Sequence, residues 1–288
     1  MSEKTTLIRT LASPPLELFR RFFRKRAPAP PVLTDPLHSD VPALRQAEIA
    51  AIYHGQRVAG DFYEFLRVGA SRVLFGLFDI AGRREDTREI LIAAQRTFRT
   101  LAPELFAEED INEPVAMIEI SQQLNRTILR CAGVRSCPAF IGCYNEDLGT
   151  VCYANAGHTP GLLRDQTGIT PLEATGLPLG LFSHTTRSAS TCAMTPGAVL
   201  LLVSRGTVEA ECEGEEFGLE STKRILQGAP ASSAPELCLT ILRAVQQFVR
   251  TAPAHNDVTA LALVRGTTVE DLGLLRPKRT ADSSLRSE

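Results

Sequence analysis

Residues 57–84 read RVAGDFYEFLRVGASRVLFGLFDIAGRR, and this stretch decides how the rest of the chain is read. It holds two aspartates, each beside a glycine and each closing an apolar run. Asp61 follows Val58-Ala59-Gly60, and Asp79 follows Val73-Leu74-Phe75-Gly76-Leu77-Phe78. A carboxylate at the end of a buried strand is costly unless something pairs with it. Carboxylates on adjacent strands hold divalent cations in many proteins, because Mg²⁺ and Mn²⁺ take oxygen ligands. Gly-Asp and Asp-Ile-Ala-Gly are also ordinary turn chemistry, in which a short carboxylate accepts backbone N–H groups and glycine supplies a positive φ. The two aspartates alone leave both readings open.

Outward from this stretch the pattern is of short β-type runs. Residues 47–53, 61–68 and 72–80 are rich in β-branched, aromatic and aliphatic side chains, with 67–71 as the turn of a hairpin. Two helices are expected next. Over 86–101 the residues Ile90, Leu91, Ala94, Phe98 and Leu101 mark one face. Over 112–131, Asn112 is a candidate N-cap and Pro114 lies in the first turn. Strands are expected again at 138–144, 151–155, 161–164, 187–193 and 198–204, then a helix at 234–250 and a last strand at 258–264. Helices grouped between runs of hairpin strands, without β–α alternation, indicate an α+β layered domain.

Both ends differ from this core. In 1–45, Leu16, Phe19 and Phe23 fall at helical spacing among Arg20, Arg21, Arg24, Lys25 and Arg26. Such a basic amphipathic segment suits an anionic membrane surface or an acidic partner, although segments of this kind are more often frayed tails or packed on their own domain. Ala27-Pro28-Ala29-Pro30-Pro31 reads as a stiff linker. Residues 267–288 are polar and aperiodic and are expected to be disordered. The expected division is therefore a tail and linker at 1–45, a domain at 46–266 and a second tail at 267–288.

Hydrophobic content of 44% and charged content of 22% are those of a globular protein. A net charge of −2 argues against a broad nucleic-acid-binding surface. No apolar run approaches the roughly 20 residues that span a bilayer, and no signal-peptide pattern opens the chain. The seven cysteines include no C-x-x-C pair and sit mostly in apolar runs, as expected in a reducing cytoplasm.

The ordered series GDFYE (60–64), FDIAG (78–82), YANAGHTPGLL (153–163), GLPLG (176–180), LLLVSRGTVEA (200–210), EEFGLE (215–220) and NDVTALALV (256–264) resembles the metal-dependent PPM-type protein serine/threonine phosphatases. Within them it is most similar to the sporulation-protein-E and RsbU-like branch. The resemblance implies an α+β fold, a two-sheet antiparallel β-sandwich flanked by helices in α-β-β-α layers. It also implies a binuclear Mg²⁺ or Mn²⁺ centre at one end of the sandwich. Two ions about 3.5–4 Å apart activate a water and stabilise both attacking and leaving oxygens.

Carried over position by position, Asp79 matches the carboxylate that bridges the metals, the Ile80 carbonyl the neighbouring main-chain ligand, and Asp61 the acidic residue that holds metal-bound waters. Two further acidic positions depart from the pattern. Where the family has Thr-Asp-Gly this chain has Ser204-Arg205-Gly206, and where it has Asp-Asp this chain has Asn256-Asp257. Arg205 and Asn256 turn a set of four carboxylates into one that holds a cation of its own. Two unit charges 4 Å apart interact by up to about 4 kcal/mol at an effective dielectric of about 20, so a metal is repelled and Arg205 becomes a candidate stand-in paired with Asp79. Asp257 is a candidate replacement ligand, although a regular strand from 256 would point it away from the face of Asn256 unless a bulge intervened.

Arg83 and Arg84 replace a small, mobile turn of the family. They read either as a phosphate- or partner-binding fork or as a solvated loop. His158, in the shared Asn-Ala-Gly-His turn, is a candidate for phosphate or partner binding, although a lone histidine is more often a hydrogen-bonded structural residue.

Two functions follow from the resemblance. One is an active Mg- or Mn-dependent phosphatase acting on a phosphorylated anti-sigma-factor antagonist through a rearranged site. The other, favoured by the two lost ligands, is a pseudophosphatase holding one ion or none that binds such a phosphoprotein in partner-switching signalling. A homodimer is compatible with either.

Overall fold

The computed structural model describes residues 39–54, 60–80, 84–131, 136–183, 188–230, 233–250 and 257–267, with backbone alone for 84–86. Most of the tail expected at 1–45, the end of the chain after Thr267, Arg83 and Asn256 lie outside the described residues.

Two five-stranded antiparallel sheets form the domain. The first has the order β2 (Gly60–Val68), β3 (Arg72–Ile80), β4 (Ala139–Asn145), β5 (Thr150–Ala156) and β8 (Ser190–Ala193). The second runs β1 (Ala47–His54), β12 (Val258–Arg265), β9 (Val199–Val203), β6 (Gly161–Asp165) and β7 (Gly168–Leu172). A small hairpin, β10 (Glu211–Cys212) with β11 (Glu215–Glu216), stands apart. The helices are α1 (Arg84–Leu105), α2 (Glu113–Arg130), the single turn α3 (Arg205–Val208), α4 (Gly218–Gly228) and α5 (Ala234–Val249).

Side-chain alternation along the strands assigns the layers. On β3, Phe75 and Leu77 turn inward with Phe65, Phe140 and Tyr144 and meet Leu200, Leu202, Leu261 and Leu263 of the second sheet. The intervening Leu74 and Phe78 face the other way, packing with Ile90 and Phe98 of α1 and Met117, Ile120 and Leu124 of α2. On the far side Leu201, Ala260 and Ala262 pack under Leu226 of α4 and Leu237, Cys238 and Ile241 of α5. Because side chains of a strand point alternately to its two faces, a sheet covered on both sides is apolar at every position. β3 and β9 are buried throughout for this reason. The α-β-β-α sandwich is the expected one.

The expected elements recur with small shifts. α1 extends past the expected 86–101 at both ends, with Pro103 in its last turn. Asn112 caps α2, its side chain accepting from the Val115 N–H at 3.1 Å. β8 is shorter than the expected 187–193. Residues 39–45, grouped with the tail on sequence, are fastened to the first sheet. The Ser39 hydroxyl donates to Glu64, the Arg45 N–H donates to Glu146, and Arg67 donates to the Ala43 carbonyl. Among the described residues no helix is long and apolar enough to cross a membrane.

Candidate functional site

At one end of the sandwich the apolar inter-sheet layer gives way to polar side chains on the same alternating positions. Counting back by twos from Phe65 and Tyr63 reaches Asp61, and counting on from Leu77 reaches Asp79. From Leu200 and Leu202 the next inward position is Ser204, and from Leu263 and Leu261 the inward positions are Thr259 and Asp257. The register of β2 on β3 sets Asp61 directly opposite Asp79 and Gly60 opposite Ile80. A β-carbon at Gly60 would lie 2.8 Å from the Ile80 carbonyl oxygen, so glycine is what lets the two strands close up here.

Asp79 is buried, with 4% of its surface exposed. Its backbone N–H donates to the Pro138 carbonyl at 2.9 Å. One carboxylate oxygen accepts from the Arg205 backbone N–H at 3.1 Å, and the other lies 3.5 Å from the Arg205 guanidinium. That guanidinium also reaches Glu209, one turn on, at 3.7 Å. Asp61 is half-buried and accepts from the Thr259 hydroxyl at 2.8 Å. Burial and the Asp79 charge push its carboxyl up to about 7, while the Ser204 and Thr259 hydroxyls pull it back and the Asp257 charge adds to the rise.

Asp257 is itself buried, one residue ahead of β12, and its charge is felt at Asp61. The expectation tied its direction to Asn256, which lies outside the described residues. Asp257 lies two positions before Thr259, which touches Asp61, so alternation carried one step beyond β12 puts position 257 on the inward side. Arg84 opens α1, and nothing is described of its side chain.

His158 lies in a turn closed by Asn155, whose side-chain oxygen accepts the His158 N–H at 2.8 Å. Gly157 holds φ +66°, and a β-carbon there would sit 2.6 Å from the Pro178 ring. The Thr159 hydroxyl donates to the Val203 carbonyl. The His158 Nδ1, 3.0 Å from the Thr159 carbonyl, therefore carries the ring proton and donates it there. Nε2 is left as a buried acceptor with no hydrogen-bond partner, and the buried Thr207 hydroxyl is likewise unpartnered. Burial lowers the imidazole below its usual 6.5, with the Thr159 carbonyl and Asp79 opposing and Arg205 assisting. The ring is neutral at pH 7.

The structure thus brings Asp61, Asp79, Arg205, Asp257 and His158 into one neighbourhood and adds Ser204, Thr207, Thr259 and Glu209. The two hydroxyls that hold Asp61 were not found by motif. Extending the apolar alternation of β9 and β12 by one step would have found them. Among the described residues, no three or more His, Cys, Asp or Glu side chains form a group that could hold a metal ion.

A family model described as stage II sporulation protein E (SpoIIE) matches residues 70–266. The protein IcfG of Synechocystis sp. (strain ATCC 27184 / PCC 6803 / Kazusa) is 22% identical over 248 residues, covering 78% of this chain and 39% of IcfG. The chain therefore spans about two-fifths of the length of this curated relative. The crystal structure of the RsbU and RsbW domains of Rv1364c from Mycobacterium tuberculosis superposes with a TM-score of 0.64 at 21% identity, covering 78% of this chain and 63% of that one. The PP2C phosphatase domain of SpoIIE from Bacillus subtilis, solved with a fragment of its regulatory domain, gives 0.63 at 16%, covering 77% and 64%. At these identities the likeness is one of fold.

Proposed function

The chain belongs to the stage II sporulation protein E (SpoIIE) family, and from that premise we propose that its PPM-type phosphatase domain binds a phosphoprotein without hydrolysing it. The observation that carries the reading is the contact of Arg205 with Asp79. The carboxylate that matches the family's metal bridge has one oxygen on the Arg205 N–H and the other beside the Arg205 guanidinium. A binuclear Mg²⁺ or Mn²⁺ centre, which would supply an activated water, does not fit these donors. Asp79 is already engaged, Asp61 is held by neutral hydroxyls, and a cation stands beside them. A guanidinium carries no exchangeable water and offers no base.

The floor of the site is acidic, with Asp61, Asp79, Asp257 and Glu209 around one arginine, so a phosphate dianion is repelled from it. The reading assigns the phosphate instead to Arg83 and Arg84, which follow Ala81 and Gly82 after the end of β3 in sequence. Arginine forks bind phosphate without cleaving it. The partner class that suits this reading is a phosphorylated anti-sigma-factor antagonist in the cytoplasm, since a solved relative joins RsbU and RsbW domains in one chain.

The test is turnover of a phosphoserine protein with Mn²⁺ by the unaltered chain and by the Arg205→Asp/Asn256→Asp double variant. The reading expects the unaltered chain at the level of the blank and activity in the double variant. Turnover by the unaltered chain, completed by Asp257 or another donor, would overturn it. Calorimetry with a phosphopeptide should show binding that Arg83→Ala/Arg84→Ala abolishes.

A further inference from the structure

We infer that the Arg205 guanidinium is a built-in cation that neutralises the opposed Asp61–Asp79 pair and makes this end of the sandwich independent of metal for its stability. The inference deepens the proposed function at the same site. Its readout is stability, so a failure here and a failure of the turnover test are separate results.

Asp61 and Asp79 are register partners on neighbouring strands. Directly opposed residues of an antiparallel pair have their β-carbons about 5 Å apart, and like charges at such positions destabilise the sheet. Asp257 adds a third acidic group within reach of Asp61. Two neutral hydroxyls, Ser204 and Thr259, serve Asp61. They satisfy its lone pairs but bring no opposite charge. Among the described residues, the cation in contact with the pair is Arg205.

The contact has two separable parts. The backbone N–H of Arg205 fixes Asp79 whatever side chain position 205 carries. The guanidinium, 46% exposed, contributes charge at little desolvation cost, and Glu209, the C-cap residue just after α3, steers it. Truncating the side chain therefore removes the cation and leaves the backbone anchor. A tethered arginine differs from a soluble ion in one respect that matters here: its local concentration does not depend on the metal supply.

Thermal unfolding of the full chain in EDTA and in millimolar MnCl₂ tests the inference, with Mn²⁺ alone as the probe. The unaltered chain should melt at the same temperature, within about 1 °C, in both media. Arg205→Ala should melt several degrees lower in EDTA. Adding Asp61→Asn to it should restore most of that loss, because the second substitution removes the like charge that the arginine had balanced. Arg205→Lys should keep most of the stability. Three results would overturn the inference. One is a rise of several degrees for the unaltered chain in Mn²⁺, of the size that ligand linkage gives for a site well saturated. Another is an Arg205→Ala variant as stable in EDTA as the unaltered chain. The third is a loss in Arg205→Ala that Asp61→Asn leaves uncorrected, which would make Arg205 a packing residue.

Discussion

Asp61 is where sequence and environment conflict most sharply. Its folded-state carboxyl titrates at about 7, against an ordinary 3.8. The folded chain therefore holds this proton more tightly than the unfolded chain does. Stability tied to that proton is present below about pH 4 and is lost as pH rises towards 7. Asp61→Asn keeps an oxygen that can accept from Thr259 and removes the titration. In EDTA it should be more stable than the unaltered chain at pH 8, by about 1–2 kcal/mol once the half-exposure of the group is allowed for, and nearly equal to it at pH 4. Urea unfolding at the two pH values measures this, and an equal difference at both would show that the site does not strain Asp61. The two aspartates and the arginine at 205 were legible as residues out of pattern. Ser204 and Thr259 were not, because no motif marks a hydroxyl at the end of an apolar run, and only the alternation of β9 and β12 carried one step further reveals them. Asp257 was legible as a candidate acidic residue, and the side it occupies follows only when the alternation is counted from Leu261.

Elements carry the site through one buried clasp on β2. Glu64, three residues from Asp61 and fully buried, accepts from Gln95 at 2.8 Å and from Arg99 at 2.9 and 3.1 Å, both on α1. The Ser39 hydroxyl donates to Glu64 and accepts the Phe65 N–H at 2.7 Å, bringing the segment before β1 into the same clasp. Glu64→Ala strands these donors and should cost about 2–4 kcal/mol. Hydrogen exchange in that variant should rise in α1 and β2 together, whereas a rise confined to residue 64 and its neighbours would show that the clasp binds nothing beyond itself. The helices α1, α2 and α5 were legible from their apolar spacing, since Ile90, Ala94 and Phe98, then Leu124 and Ile128, then Leu237, Ile241 and Val245 each recur at helical intervals. The edge strand β7, Gly-Ile-Thr-Pro-Leu, was not, because Pro171 within a five-residue run argues against a strand unless that strand is at an edge. The short helices α3 and α4 were not legible either, because one is a single turn containing Gly206 and the other opens on Gly218, and glycine is a weak helix former.

At the scale of the molecule, four layers were legible because the periods agree with burial on every element. Strands covered on both faces read as continuous apolar runs, and helices read as stripes. The same ordering explains why the chemistry lies at the end of the sandwich, where the inter-sheet layer meets solvent and polar side chains can occupy inward positions. In this chain those positions hold three aspartates closed by an arginine. The claim on which the account turns is that this end does not take up the metal pair that the family resemblance implies. Titration of the full chain with Mn²⁺, followed by the six-line electron paramagnetic resonance of the free ion, measures it directly. The account predicts that the free-ion signal is unchanged by the Arg205-containing chain and is depleted by the Arg205→Asp/Asn256→Asp variant. Loss of signal equivalent to two ions bound per unaltered chain would contradict it.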